Sequence, residues 1–327
     1  MKMHESFLKL TLCAALAAVF VLFAGGAAEA KVRIVTSTPD FAAIASEIGG
    51  DRVDVESLAK GYQDPHFVDA KPIYITKLNR ADMLVYNGLD LEVGWLPILV
   101  TGARNSKIAT LNSPGNVDAS RFLTTVLDLP TGPVDRSMGD VHPRGNPHYM
   151  LDPRNGLLVA RGIMEKLSEA DPENASYYEE NYRNFAKLLD LKIGEWSQEL
   201  APYKGTKVVS YHKNLDYFTR WAGFEDAGYI EPKPGIPPTP SHVAALIKKM
   251  EAEDVKLVIA SNYYPQKTPR IISEKTGAVF LSLPTSVGGE EGINTYFDLL
   301  DAIVGEITSA LESRSGAAGN GSLMHNG

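Results

Sequence analysis

One cysteine, one long apolar run and no basic surplus mark this sequence, and each scarcity removes a class of protein. Cys13 lies inside the apolar run itself, Leu10 to Phe23, which follows Lys2 and Lys9 and gives way to the small residues Ala28-Glu29-Ala30. That order is a charged leader, a short hydrophobic stretch and an A-x-A cleavage site, so residues 1–30 read as an export signal. The run is short for a membrane span, and no second one of spanning length follows. Leu12 before Cys13, with the cleavage site well downstream, gives no lipoprotein context. The mature chain is then expected without disulfide, thiolate ligand or lipid anchor, in a bacterial periplasm. Lys and Arg together number 32 against 40 Asp and Glu, a net charge of −8. The two Lys and two Glu of the signal cancel, so the mature charge is the same. There is no basic face to argue for nucleic acid and no lysine-rich helix for anionic lipid.

Removing residues 1–30 of 327 leaves 297, enough for two medium domains. Apolar runs predict strands at 32–37, 53–58, 83–87 and, more weakly, 107–111, with helices at 41–48 and 73–80 between them. Residues 155–200 are almost wholly helical in pattern. A break at Asp171-Pro172 starts a second helix that runs on to Leu200, about 40 Å long. Alternation resumes with strands at 207–210, 255–260 and 279–283 and helices at 215–221, 241–253, 268–276 and 294–311. Pro232 to Pro240 holds five prolines and reads as an extended connector. The fold class is therefore α/β: two lobes, each a mostly parallel sheet flanked by helices, joined by one long rigid helix. The expected limits are 31–170, 171–202 for the helix, and 203–312, with a Gly, Ser and Asn-rich disordered tail at 313–327.

Seven histidines remain to be explained. His4 falls in the signal, His325 in the tail, and His242 at a helix start reads as an ordinary surface residue. His66 follows Asp64-Pro65, His148 follows Asn146-Pro147, and His212 follows the strand Val208-Val209-Ser210. All three sit in loops beside strand ends, where ligands bind in open α/β sheets. Three neutral imidazoles suit zinc and leave one position free. Their spacing, 82 and then 64 residues, is no compact motif. His142 lies on the same proline- and glycine-rich loop as His148, Gly139 to Pro153, and Asp152 is placed either to orient His148 or to cap the following helix.

Beyond the histidines, longer stretches carry a resemblance. Lys77 to Leu89, Asn146-Pro-His-Tyr-Met-Leu-Asp-Pro153, and Val208 to His212 followed by Tyr217-Phe218 and Trp221-Ala-Gly223 stand in order along the chain. With Asp64-Pro65-His66 they resemble the metal-binding receptors of bacterial zinc and manganese ABC importers, the cluster A-I group. The resemblance implies a metal between the lobes, held by His66 and His148 from the first and His212 from the second. It also implies an ABC permease in the inner membrane as partner. A monomer is the expectation. Manganese members tend to carry a carboxylate at the third position, so His212 points to Zn2+ as cargo, ahead of Mn2+ or another divalent ion. The family's fourth ligand, an aspartate after the last strand, is absent from Val279 to Glu291, and its Glu-Pro-Gln-like segment is altered at Asn262 to Gln266. Water, Glu290, Glu291 or His142 could take the fourth place. Two other readings stand beside the receptor. A zinc hydrolase is built on three histidines and an open position too, but no H-E-x-x-H is present. A metal-binding adhesin is the other, and the missing anchor argues against it.

Overall fold

The computed structural model describes residues 30–322 except 133, 135–138 and 140. The expected signal thus lies outside the described residues apart from Ala30. Among the described residues, eight strands form two sheets of the same pattern. The first contains β1 (Val32–Thr36), β2 (Val53–Ser57), β3 (Met83–Tyr86) and β4 (Asn116–Asp118), in the order β2-β1-β3-β4. The second contains β5 (Lys207–Ser210), β6 (Glu225–Tyr229), β7 (Leu257–Ser261) and β8 (Val279–Leu283), in the order β6-β5-β7-β8. Every pairing is parallel, so every strand ends at the same edge of its sheet. Parallel sheets are covered on both faces, and the period of two shows which residue goes where. Ile34, Met83 and Val85 point to the inner core, while Val35 and Leu84 point to an outer one. The second sheet repeats this, with Val208, Leu257 and Ile259 inward and Val209 and Val258 outward.

The helices are α1 (Pro39–Gly49), α2 (Pro72–Arg80), α3 (Leu96–Ala103), α4 (Pro153–Ala170), α5 (Ala175–Leu200), α6 (Asp216–Ala222), α7 (Pro240–Glu253), α8 (Lys267–Thr276) and α9 (Tyr296–Ser322). Five of them, α1, α2, α3, α4 and α7, carry proline at the first or second position, where its missing N–H costs nothing. The inner core is shared by both lobes. Phe41 and Ile44 of α1, Ile163 of α4, Leu189 and Trp196 of α5, and Leu300 and Ile303 of α9 are all buried in it together with strand residues of both sheets. Flanked by single 3-10 turns, α5 makes a helical stretch from Pro172 to Tyr203. It packs against α1 of the first lobe and α9 of the second. An apolar core running through both lobes resists wide hinge opening. Among the described residues no helix is long and apolar enough to cross a membrane.

Several sequence expectations need correction. The fourth strand is Asn116–Asp118, not 107–111. The Lys107 carbonyl accepts the Gly115 N–H, which folds that segment back as a turn and leaves β3 to pair with residues 116–118. Leu96–Ala103 and Glu225–Tyr229 form a helix and a strand that composition concealed. The proline connector is not extended throughout: Ile236 N–H bonds the Lys233 carbonyl across a turn that Gly235 permits at φ 72°. The disordered tail is shortened, because α9 continues to Ser322; a helix already nucleated adds a hydrogen bond with each further residue. Residues 323–327 lie outside the described residues.

Candidate metal centre

Each lobe offers the C-terminal edge of its sheet to the cleft between them, and the three histidines come from those edges. His66 lies between β2 and α2, His148 between β4 and α4, and His212 directly after β5. Their potential ligand atoms all fall within 4.8 Å of one another, and no other residue belongs to that group among the described residues. Nε2 of His148 stands 3.2 Å from Nε2 of His212 across the lobe boundary. Ring centroids are 5.1 Å apart for His66 and His148 and 5.5 Å apart for His66 and His212.

Local hydrogen bonds set each ring. Asp64 Oδ1 accepts from the backbone N–H of His66 at 3.0 Å and faces its Nδ1 at 2.7 Å. Pro65 between them is fixed in turn, since the buried Trp95 indole donates to its carbonyl at 2.9 Å. Burial works against a charged Asp64, but the bonds and charge of His66 prevail and hold its carboxyl below the usual range. His212 Nδ1 faces Glu231 Oε2 at 2.8 Å, and the same oxygen accepts the Gly235 N–H. A carboxylate on Nδ1 places the proton there and leaves the Nε2 lone pair facing the cleft. The His148 N–H is held by Asn146 Oδ1, whose amide donates to the Lys213 carbonyl of the second lobe at 2.8 Å. Tyr217 completes the tie: its hydroxyl accepts from Leu127 N–H and donates to the Asn146 carbonyl. Burial and the neighbouring imidazoles push His148 well below the ordinary histidine range, so it stays neutral and able to donate a lone pair at pH 7.

His142 also arrives here, which the sequence left open. Its Nε2 is 3.2 Å from Nε2 of His66, and its ring centroid is 6.5 Å from that of His148. Burial, then the charges of His66 and His212, push it down to about 4. It lines both of two open cavities, about 450 and 650 Å³, that flank the cluster. Glu290 and Glu291 are exposed, and among the described residues Glu290 reaches Asn262. Asp152 proves to be a helix cap: it accepts the Arg154 N–H at 3.0 Å and pairs with the Arg154 guanidinium. His242 bonds the Tyr229 carbonyl from its Nε2, away from the cluster. Glu231 escaped the sequence reading altogether, because nothing in a proline-rich connector marks one glutamate as the partner of a histidine 19 residues earlier.

Comparisons with known proteins bear on the family and the fold. The profile described as "ZnuA: Zinc-uptake complex component A periplasmic" matches residues 34–310. A metal ABC transporter substrate-binding lipoprotein, SloC of Streptococcus mutans, is 27% identical over 280 residues, covering 84% of this chain and 87% of its own. The manganese ABC transporter substrate-binding lipoprotein PsaA of Streptococcus pneumoniae serotype 4 is 24% identical over 291 residues, covering 86% and 89%. A crystal structure of ZnuA superposes with a TM-score of 0.71 at 25% identity, covering 86% of this chain and 99% of that one. The Mn-bound periplasmic metal binding protein from Candidatus Liberibacter asiaticus shares the fold, with a TM-score of 0.68 at 23% identity over 86% and 100%. These are solute-binding proteins rather than enzymes, and the hydrolase reading falls with that. With a match over most of its length, the chain belongs to the periplasmic zinc-uptake component A family and is a divalent-metal-binding substrate-binding protein of an ABC importer.

Proposed function

We propose that the cargo is zinc, held by Nε2 of His66, His148 and His212 in the periplasm and passed to a permease of the inner membrane. The observation that carries this is the all-nitrogen donor set, gathered within 4.8 Å from loops of both lobes. Imidazole suits zinc, whereas manganese prefers carboxylate and carbonyl oxygen, and no carboxylate belongs to this group. Some relatives are named for manganese, so the zinc reading rests on the donor atoms rather than on the fold. Bridging the lobes gives the ion a second task. His66 and His148 on one side and His212 on the other are drawn together, presenting one paired-lobe surface to the permease while loaded. Small loop movements, rather than wide opening, then release the ion, since the core is continuous across the lobes.

Competition calorimetry with zinc and manganese tests the reading. Zinc is expected to bind one per chain and to displace manganese, and His66→Ala, His148→Ala and His212→Ala are each expected to weaken zinc by at least about a hundredfold, some 2.8 kcal/mol. Tighter manganese binding, or three variants with unchanged zinc affinity, would overturn it. Terminal sequencing of the exported chain checks cleavage after Ala30.

A further inference from the structure

The proposed three-histidine site leaves one tetrahedral position, and the structure puts a fourth imidazole beside it. In a tetrahedral zinc site with Zn–N bonds of 2.0–2.1 Å, neighbouring nitrogens lie about 3.3 Å apart. Two non-overlapping pairs here already have that spacing: His148 with His212 at 3.2 Å and His66 with His142 at 3.2 Å, Nε2 to Nε2. They match two opposite edges of such a tetrahedron; closing the remaining edges requires His142, which lies outside the 4.8 Å group of the other three, to move inward with its loop. The ring of His142 is 5.3 Å from that of His66, within the 5.1 to 5.5 Å found among the other three, and 6.5 Å from that of His148.

His142 is held there by a built turn. Gly88, Leu89 and Asp90 follow β3 with φ of 77°, 51° and 65°, and the last two are not glycine. Side-chain-bearing residues rarely adopt that conformation, and it persists only where surroundings impose it. Buried Glu92 imposes it here, accepting the N–H groups of Asn87 at 2.7 Å and Gly88 at 3.2 Å. The turn then serves the histidine loop at two points: the backbone of Leu89 bonds the His142 ring, and Asp90 Oδ1 accepts from Arg144 at 2.9 Å. The candidate carboxylates Glu290 and Glu291 are exposed and do not belong to the cluster.

Resting on the zinc reading above, we propose that His142 is the fourth ligand, so that the ion is enclosed by four imidazoles. Three of these ride on loops at sheet edges. The fourth rides on the 141–145 loop, and it is the ligand that can leave without separating the lobes.

Zinc-edge X-ray absorption on the mature chain, loaded with one equivalent of zinc, decides the matter. Four imidazoles are expected for the wild type and three plus one oxygen for His142→Ala, with the cobalt-loaded forms differing in their visible bands. Zinc release to a chelator is expected at least about tenfold faster in His142→Ala, an off-rate effect. Three imidazoles and one oxygen in both proteins, with equal release, would overturn the proposal while leaving the three-histidine site standing. Fewer than three imidazoles in the wild type overturns both.

Discussion

Glu231 Oε2 sits 2.8 Å from Nδ1 of His212 and also accepts the Gly235 N–H, so one carboxylate both aims a candidate ligand and closes the turn of the proline connector. Asp64 does the same for His66, bonding both its ring and its backbone N–H. In each case the carboxylate faces the ring nitrogen away from the cleft, as partners of metal-bound histidines do.

Removing the Glu231 carboxylate should therefore weaken zinc without removing a ligand. Glu231→Ala is expected to lower affinity by about 10- to 100-fold. Glu231→Gln, which keeps an acceptor for the ring, is expected to lose less. Calorimetry gives the affinities, and the imidazole count by absorption spectroscopy should stay at its wild-type value in both. A lost imidazole would mean that Glu231 holds His212 in the site rather than tuning it.

Asp40 ties the lobes on the other side of the cleft. It lies buried in the first turn of α1, where its Oδ2 accepts from the Ser286 hydroxyl at 2.7 Å and its Oδ1 accepts the Val287 N–H at 2.9 Å. Asp40→Ala strands that N–H away from water, at a cost of about 1–3 kcal/mol. Ser286→Ala should cost less in the Asp40→Ala background than alone, because its partner is already gone. Urea unfolding of the four proteins in the cycle measures this, and additive losses would deny the contact any role.

How much of this could be read from the chain depends on range. The two-lobe α/β class, the long helix and the three histidines were legible, because strand alternation, helix stops and the D-P-H and N-P-H tripeptides are local signals. β6 was not: Glu225-Asp226-Ala227-Gly228-Tyr229 has poor strand propensity and is held by its pairing with β5 across an irregular register. The placement of His142 was not either. It depends on the left-handed turn more than fifty residues earlier, which continues past Gly88 into Leu89 and Asp90, residue types that do not advertise the conformation. The same holds for Glu231 and Asp40, whose partners stand far off in sequence or on the other lobe. Long-range hydrogen bonds leave no periodicity for a reader to find.

Glu92 makes stability depend on pH in a definite sense. Burial outweighs its hydrogen bonds and raises its carboxyl to about 7, against 4.5 for a free glutamate. Between those values the folded chain holds more protons than the unfolded one, so this group's contribution is full below about pH 4.5 and is lost as pH rises through 7. His148 and His142 act in the opposite sense, being depressed, and erode stability as pH falls below the free-histidine value of 6.5. The wild-type curve mixes the two, but a difference curve separates them. Glu92→Gln does not ionise, so whatever its loss at pH 4.5, it is expected to gain on the wild type steadily up to pH 7 and no further. Urea midpoints at half-unit steps give the curve, and a flat difference would show that Glu92 titrates normally.

One close approach of the two lobes leaves no room for a side chain at one end. A Cβ placed on Gly61 would lie 2.1 Å from the Val287 carbonyl oxygen and 2.4 Å from the Gly289 nitrogen, both main-chain atoms that no rotamer change can move. Gly61 is five residues before His66 on the same loop, and Val287 and Gly289 belong to the loop after β8 that Asp40 holds. Gly61→Ala must separate these loops, and overpacking of this kind costs about 1–3 kcal/mol. The displacement is also expected to shift His66 away from His212 and so to weaken zinc by at least about tenfold, which a lesion in stability alone would not do. Gly194→Ala is the matching control. Gly194 lies within α5 with open space where a Cβ would stand, so alanine should be neutral or stabilise by up to about 1 kcal/mol and leave zinc affinity unchanged. If Gly61→Ala were destabilised yet bound zinc as tightly as Gly194→Ala, lobe closure at this contact would have no part in assembling the histidine cluster.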